Sequence, residues 1–384
     1  MAQPDARGRR RKGKHQVTET QQVPQGPNDV VDPGPRRRLR MQRTLVGATS
    51  AAVLIGFAAM ALPSPYVVES PGPAINTVGI VDGEPVIKVT GRESYAPTGS
   101  LDLTTVYVRG GADRRIPLFQ VLQGWADPEQ DVYPEESVYP RGVTGDQVSD
   151  QNASLMDNSQ QTSVAAALTN LGIEYGQTLS VTGMATDTND GVLAEGDVLK
   201  SVDGRAITGL GMLRGALQDA GDAPVSLGIE RDGDEVRVQA RTTAGSDGQR
   251  QLGVFLKTDF TFPFDVEFTL ANVGGPSAGM MFSLGLVDTL TEGDLTGGRH
   301  IAGTGTITPD GEVGPIGGIA QKLVGARDAG AEVFLAPAGN CADIAGRVPD
   351  GLSVVKVATL DEARAAVEEI ADGKDPASLP ACGA

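Results

Sequence analysis

The sequence predicts a multidomain α+β protein with an N-terminal transmembrane helix, and three observations carry that prediction. Leu45–Leu62 is an apolar run of 18 residues without a charge, which at 1.5 Å per residue almost crosses a hydrocarbon core of ~30 Å. Beyond it, short Val/Ile/Thr-rich runs bounded by Gly and Pro alternate with stretches of helical periodicity. Finally, 384 residues that are 40% apolar but only 4% aromatic, with 51 glycines, can bury two or three modest cores built mainly from Val, Leu, Ile, Ala and Met.

Residues 1–43 are polar, rich in Pro, Gly and Gln, and hold 11 basic side chains against four acidic ones. Lacking apolar periodicity, they are expected to be a disordered cytoplasmic tail. The remainder holds 45 acidic side chains against 21 basic ones, within a net charge of −17. Such a body repels nucleic-acid backbones, so no nucleic-acid partner is expected. The helix is assigned to 44–62, with Pro63 and Pro65 ending it. Arg36–Arg43 precede it and acidic sequence follows, so the positive-inside rule places the N-terminus in the cytoplasm and the bulk of the chain outside. Ala59-Met60-Ala61 has the small-residue form of a signal-peptidase site, which makes cleavage the alternative to a retained single-pass anchor. An outside location permits a disulfide between Cys341 and Cys382, the two cysteines, but spacing alone leaves that pairing open.

Residues 63–175 read as a β-rich extracytoplasmic segment with helical pieces. Strands are expected at Pro85–Thr90 and Leu101–Val108, helices at Pro117–Trp125 and Ser163–Leu171, and a loop rich in Pro, Glu and Tyr around residues 127–145. A second unit, 176–246, holds a strand at Leu179–Val181, a short helix at Met212–Ala220, and a hairpin of Val225–Arg231 with Glu235–Thr242 around Asp232-Gly233. In it, Gly196-Asp197-Val198-Leu199 followed by Ser201-Val202-Asp203-Gly204 resembles the GDV(I/L)-x-x-V-(D/N)-G signature of bacterial, protease-associated PDZ domains. The resemblance implies a groove that takes an extended peptide or C-terminus as an added strand; the plainer alternative is an unrelated small β domain. A third unit, 250–372, alternates strands and helices. It closes with Thr359-Leu360-Asp361-Glu362, a capping-box pattern opening a helix that stops before Gly373. Residues 373–384 form a tail.

The chemistry lies in that third unit. His15 and His300 are the only histidines, which excludes an H-E-x-x-H zinc protease, and two cysteines exclude a cysteine-rich metal site. Gly275-Pro276-Ser277-Ala278-Gly279 satisfies G-x-S-x-G, but His300 follows Ser277 by only 23 residues, too few for the Ser–acid–His order of an α/β-hydrolase. A lysine is the remaining common base. Of Lys88, Lys200, Lys257, Lys322 and Lys374, none lies three residues after a serine as S-x-x-K enzymes require. On a helix expected at Gly318–Ala329, Lys322 shares a face with Ile319, Ala326 and Ala329. Burial there would lower its pKa and let the neutral amine accept a proton; the plainer alternative is a lysine that snorkels to the surface. The turn Asn272–Pro276 delivers Ser277 to a helix with a Met280, Leu284, Val287 stripe. Backbone N–H groups at such a helix start suit an oxyanion, although a serine there is also an ordinary N-cap or turn residue.

Taken together, these segments resemble the proteolytic domain of the Lon family. Gly274-Gly275-Pro276-Ser277-Ala278-Gly279 is similar to its (D/G)-G-P-S-A-G motif, and Gly314-Pro315-Ile316-Gly317-Gly318-Ile319-Ala320-Gln321-Lys322 to the P-(V/I)-G-G segment before its lysine. Gly303-Thr304-Gly305 resembles the T-G segment before a β-turn, here Pro309-Asp310-Gly311, and Gly330–Pro337 with Asn340 the strand and loop that follow. The resemblance implies a C-terminal α/β Lon-type proteolytic domain with Ser277 and Lys322 catalytic, Thr304 supporting, and no cofactor. With the membrane helix and the PDZ-like unit, residues 45–372 resemble the PDZ-containing Lon-like proteases of bacteria, actinobacterial ones especially. That implies an ATP-independent, membrane-anchored serine endopeptidase acting on unfolded or flexible extracytoplasmic proteins, assembled as a hexamer. Gly8 to Gly13-Lys14 imitates a P-loop, but His15 stands where Mg²⁺ binding needs Ser or Thr. The rival from another class is a membrane-tethered PDZ scaffold or adaptor whose Lon-like domain is inactive.

Overall fold

The computed structural model describes residues 35–245, 248–270 and 273–382. The expected tail up to residue 34 and Asn272 of the turn before Ser277 lie outside the described residues. Helix α1 spans Pro35–Met60, so it begins inside the stretch expected to be tail. Proline is tolerated at a helix start because first-turn N–H groups have no partner to lose, and the Arg, Leu, Met and Gln that follow are good helix formers. Within it Leu39–Met60 is long and apolar enough to cross a membrane, with mean hydropathy 1.5 and none of the stretch buried. This helix up to Ala59 belongs to one unit, and residues from Met60 onward form a second compact unit.

In chain order the second unit holds β1 (Tyr66–Asn76), β2 (Ser100–Gly110), α2 (Leu118–Ala126), β3 (Asp131–Pro134), α3 (Gly145–Asn170), β4 (Gly176–Met184), β5 (Val198–Val202) and α4 (Leu210–Ala220). It continues with β6 (Val225–Arg231), β7 (Asp234–Ala240), β8 (Val254–Thr261), α5 (Gly279–Leu290), β9 (His300–Gly303), α6 (Ile319–Asp328), β10 (Val333–Pro337), β11 (Ser353–Val357) and α7 (Leu360–Ala371).

Residues 63–175 do not stand apart. Two long strands and one short one from this segment complete a mixed sheet in the order β11-β10-β9-β2-β1-β3. Strand β9 pairs in parallel with β2 (Ile301↔Leu101) and with β10 (Ile301↔Val333), while β1 runs antiparallel to β2 and β3. The unit that carries this sheet is therefore discontinuous in sequence, with 176–261 inserted. Strand alternation sorts its side chains onto two faces. Leu101, Leu103, Ile301, Val333, Leu335 and Val355 pack with α5 and α7, and Ala302, Phe334 and Ala336 meet Ile319, Leu323 and Ala326 of α6 on the other side. Helix α5 is buried at every position from Gly279 to Leu290, not only along its expected stripe, because α3 covers the face turned away from the sheet.

The inserted unit is a second sheet in the order β7-β6-β5-β4-β8, closed over by Leu213 and Leu217 of α4. Its hairpin turns at Asp232 and Gly233, both with positive φ, the geometry an Asp-Gly two-residue turn supplies. Strand β8 was expected in the third unit, from residue 250 on. It pairs instead with β4, from Val254↔Met184 to Thr261↔Gly176, so the inserted unit extends past 246. At the other end of the chain Cys341 and Cys382 form a disulfide.

Candidate active site

Ser277 lies in a single 3₁₀ turn, Pro276–Ala278, between Gly275 at φ +86° and the start of α5. It does not cap the helix. The turn is held from two sides. From α3, Asn152 accepts from the Gly275 N–H (3.2 Å) and the Ser159 hydroxyl donates to the Pro276 carbonyl (3.2 Å). From the segment after β9, Gly305 N–H donates to the Ser277 carbonyl (2.9 Å) and its own carbonyl accepts from Met280 N–H (3.1 Å). Ser277 stays partly exposed, so a substrate can reach it.

Lys322 sits one turn into α6. Its helix begins after Gly318, whose left-handed φ of +66° favours glycine, and the preceding Ile316 is clamped by Asn340, which accepts from its N–H and donates to its carbonyl. The lysine is only 2% exposed, which removes the snorkelling alternative. Its Nζ lies 2.8 Å from Ser277 Oγ and 2.9 Å from Thr304 Oγ1. Thr304, fully buried, donates in turn to the Ser277 carbonyl (3.0 Å). All three residues picked from the sequence thus converge. Ala329, expected on the buried face, is exposed because α6 ends at Asp328.

Burial pushes the Lys322 pKa down to about 7, against the opposing pull of the Glu69 carboxylate. An amine near neutrality within hydrogen-bond reach of a hydroxyl can take its proton, which is what nucleophile activation requires.

Residues 271–368 match the Lon protease (S16) C-terminal proteolytic domain. Among curated proteins, Lon protease of Roseiflexus castenholzii is 33% identical over 116 residues, 29% of this chain and 14% of that protein. Lon protease 2 of Herpetosiphon aurantiacus is 33% identical over 47% of this chain and 20% of its own, and Lon protease 1 of Sorangium cellulosum 44% identical over 24% and 11%. The chain therefore spans a fifth or less of the length of these relatives. The PDZ domain of the SdrC-like protein of Listeria monocytogenes is 17% identical with a TM-score of 0.19, covering 20% of this chain and 85% of that one.

Some participants escape the sequence reading. Glu69, on β1, packs against the start of α6: a Cβ added at Gly318 would stand 3.4 Å from its carboxylate. Burial, and then the neighbouring Asp131, raise its pKa, while Lys322 lowers it. Asn152 and Ser159 of α3 went unnoticed as well. One further serine and lysine, Ser353 and Lys356, have S-x-x-K spacing. They lie on strand β11, where residues three apart point to opposite faces, so they cannot pair. His300, the histidine of the G-x-S-x-G alternative, is bonded to Asp102 at 2.7 Å.

Proposed function

We propose that this chain is a membrane-anchored serine endopeptidase in which Ser277 is the nucleophile and Lys322 its general base. The observation that carries the reading is a 2% exposed amine 2.8 Å from a serine hydroxyl. Neutral Lys322 takes the Ser277 proton as Oγ attacks a peptide carbonyl, then gives it to the departing amine. A water deprotonated by Lys322 next cleaves the acyl-enzyme and frees Ser277. Thr304 orients the amine. Gly275 and Met280 N–H groups already have carbonyl partners, and the oxyanion is held by the other backbone N–H groups around Ser277. Substrates are unfolded or flexible extracytoplasmic chains, taken without ATP, with the N-terminus of α1 in the cytoplasm.

The test is casein hydrolysis by the full chain in detergent. Ser277→Ala and Lys322→Ala should each lower kcat by about three orders of magnitude or more, whereas equal turnover by all three proteins would refute the assignment.

A further inference from the structure

Helix α2 presents an apolar face that none of the described residues covers. Its inner side is closed by Val121, fully buried against Val68 and Ile116, and by Gly124, where an added Cβ would meet Val132 at 2.9 Å. Phe119, Leu122 and Trp125 follow at intervals of three, which puts them on one side of the helix, and they are 42%, 38% and 57% exposed. Trp125 stands edge-on to Tyr66 with ring centroids 5.6 Å apart, and its indole N–H has no hydrogen bond among the described residues. A row of large apolar side chains this open marks a contact surface.

The attachment of α2 decides what that surface meets. The apolar span Leu39–Met60 ends two residues before Leu62, and the Leu62 carbonyl accepts from the N–H of Leu118, the first residue of α2 (2.9 Å). Pro63 and Ser64 then pair with Pro117 and Ile116, and the Ser64 hydroxyl donates to the Ile116 carbonyl (2.9 Å). Two extended residues and one strand spacing come to no more than about 12 Å, so the start of α2 is pinned close to the point where the chain leaves the span. Leu62 is itself 60% exposed, which continues the apolar surface from the span to the helix. Just before the pairing, Arg114 and Arg115 are exposed and without an ion pair among the described residues. The acids nearby are turned elsewhere: Asp113 accepts from Gly145 N–H (3.4 Å), and Glu129, beyond the other end of α2, is paired with Arg327.

We infer that α2 lies in the lipid–water layer of the outer leaflet, with Phe119, Leu122 and Trp125 against the acyl chains and Arg114 and Arg115 against lipid phosphates. This rests on the membrane-anchored reading above. Tryptophan joins an apolar body to one polar N–H, the combination favoured at that boundary, and exposed arginines suit anionic headgroups. A nine-residue helix binds lipid weakly alone, but so short a tether keeps it at high effective concentration over the surface. Glu69, whose carboxylate reaches the start of the lysine helix, follows Leu62 by at most about 25 Å of extended chain. Seating α2 therefore holds the serine–lysine pair near the bilayer, where extracytoplasmic chains tethered to the same membrane come within reach.

Trp125 is the only tryptophan in the chain, so the full chain carries its own probe. It is reconstituted into vesicles of phosphatidylcholine and phosphatidylglycerol, the phosphatidylcholine either ordinary or dibrominated near the glycerol end of its acyl chains, because bromine quenches indole only at short range. Bromination should lower Trp125 emission by about half or more. Phe119→Ser with Leu122→Ser changes only exposed side chains and should remove most of that quenching. Parent emission indifferent to bromine would overturn the proposal, whether Trp125 is then open to acrylamide, and so in water, or shielded from it, and so under a second copy or another protein. A double variant quenched like the parent would overturn it too. An alkaline carbonate wash separates the two readings: chain retained in the vesicles with unquenched Trp125 refutes the docked helix alone, while chain washed free refutes anchoring and the docked helix with it.

Discussion

The Lys322 amine lies 2.9 Å from the Thr304 hydroxyl, which in turn donates to the Ser277 carbonyl at 3.0 Å. The threonine therefore joins base and nucleophile through two bonds, and both are inside the protein. Thr304→Val keeps the shape but removes the hydroxyl. A lost hydrogen bond to a charged or strongly polar partner costs about 1.5–3 kcal/mol, so kcat should fall about ten- to a hundredfold, while Thr304→Ser should recover most of it. Steady-state casein kinetics decide; a valine variant as active as the parent would show that Thr304 only fills space.

The pH profile follows from the same amine. Lys322 acts as a base only when neutral, and with its pKa lowered to about 7, kcat/KM should rise with pH through a midpoint near 7 and then level off. Glu69 raises the pKa of Lys322. The titratable groups that interact with Glu69 are Asp131, Lys322, Tyr133 and Tyr139, while Arg347 is bonded to Asp131. Glu69→Gln removes a negative charge that favours the ammonium, so the acid limb should move to lower pH. A midpoint that stays put, or moves upward, would contradict the assignment of that limb to Lys322.

The site was legible because its motifs are local: each of Ser277, Thr304 and Lys322 is set by the glycine-rich turn beside it, and such turns are written in consecutive residues. What was not legible depended on strand partners far away in sequence. Leu101 and Leu103 could be seen to form a strand, but nothing near them shows that Ile301 and Gly303 lie alongside. Strand β8 alternates in burial along its length, yet its place in the chain after the hairpin puts it in the unit from 250 on, because nothing local shows that its partner is β4. Of helix α3 the sequence shows only the apolar last third, expected as Ser163–Leu171, where six consecutive residues from Ser163 to Leu168 are buried. Its start had a signal, Thr144 and Gln147 in a reciprocal capping box, but the Asn, Asp, Ser and Gln that follow hid the helix that braces Ser277.

Asp288 makes a stability prediction independent of catalysis. It is buried on α5, with Oδ1 accepting from Leu295 N–H (3.0 Å) and Oδ2 without a partner among the described residues. Burial pushes its pKa up to about 6. As pH rises between the unfolded value near 4 and this folded value, the unfolded chain loses a proton that the folded chain keeps, so stability falls across that window and stays lower above it. Asp288→Asn removes the liability. Allowing for partial screening, it should stabilise by about 1–2 kcal/mol at pH 8 and by almost nothing at pH 4. Thermal denaturation at the two pH values checks this, and an equal gain at both would show that charge is not the cause.

The disulfide makes the last prediction. Cys341 directly follows Asn340, which clamps Ile316 before the lysine helix, and Cys382 packs against the cluster containing Ile319, Leu323 and Ala326. The bridge spans 41 residues, and the loop-closure entropy removed from the unfolded chain corresponds to about 3–4 kcal/mol. Cys341→Ser with Cys382→Ser should lower stability by that order, and reduction of the unmodified chain should have the same effect. Because the clamp on Ile316 is made by Asn340 and not by the sulfur atoms, the folded variant should keep a pH midpoint near 7 for Lys322. Denaturant melts with and without reductant, paired with the kcat/KM profile, separate the two effects. A shifted midpoint in the folded double variant would mean that the bridge also sets the environment of the amine, and a variant as stable as the parent would mean that the C-terminal segment holds its place by packing alone.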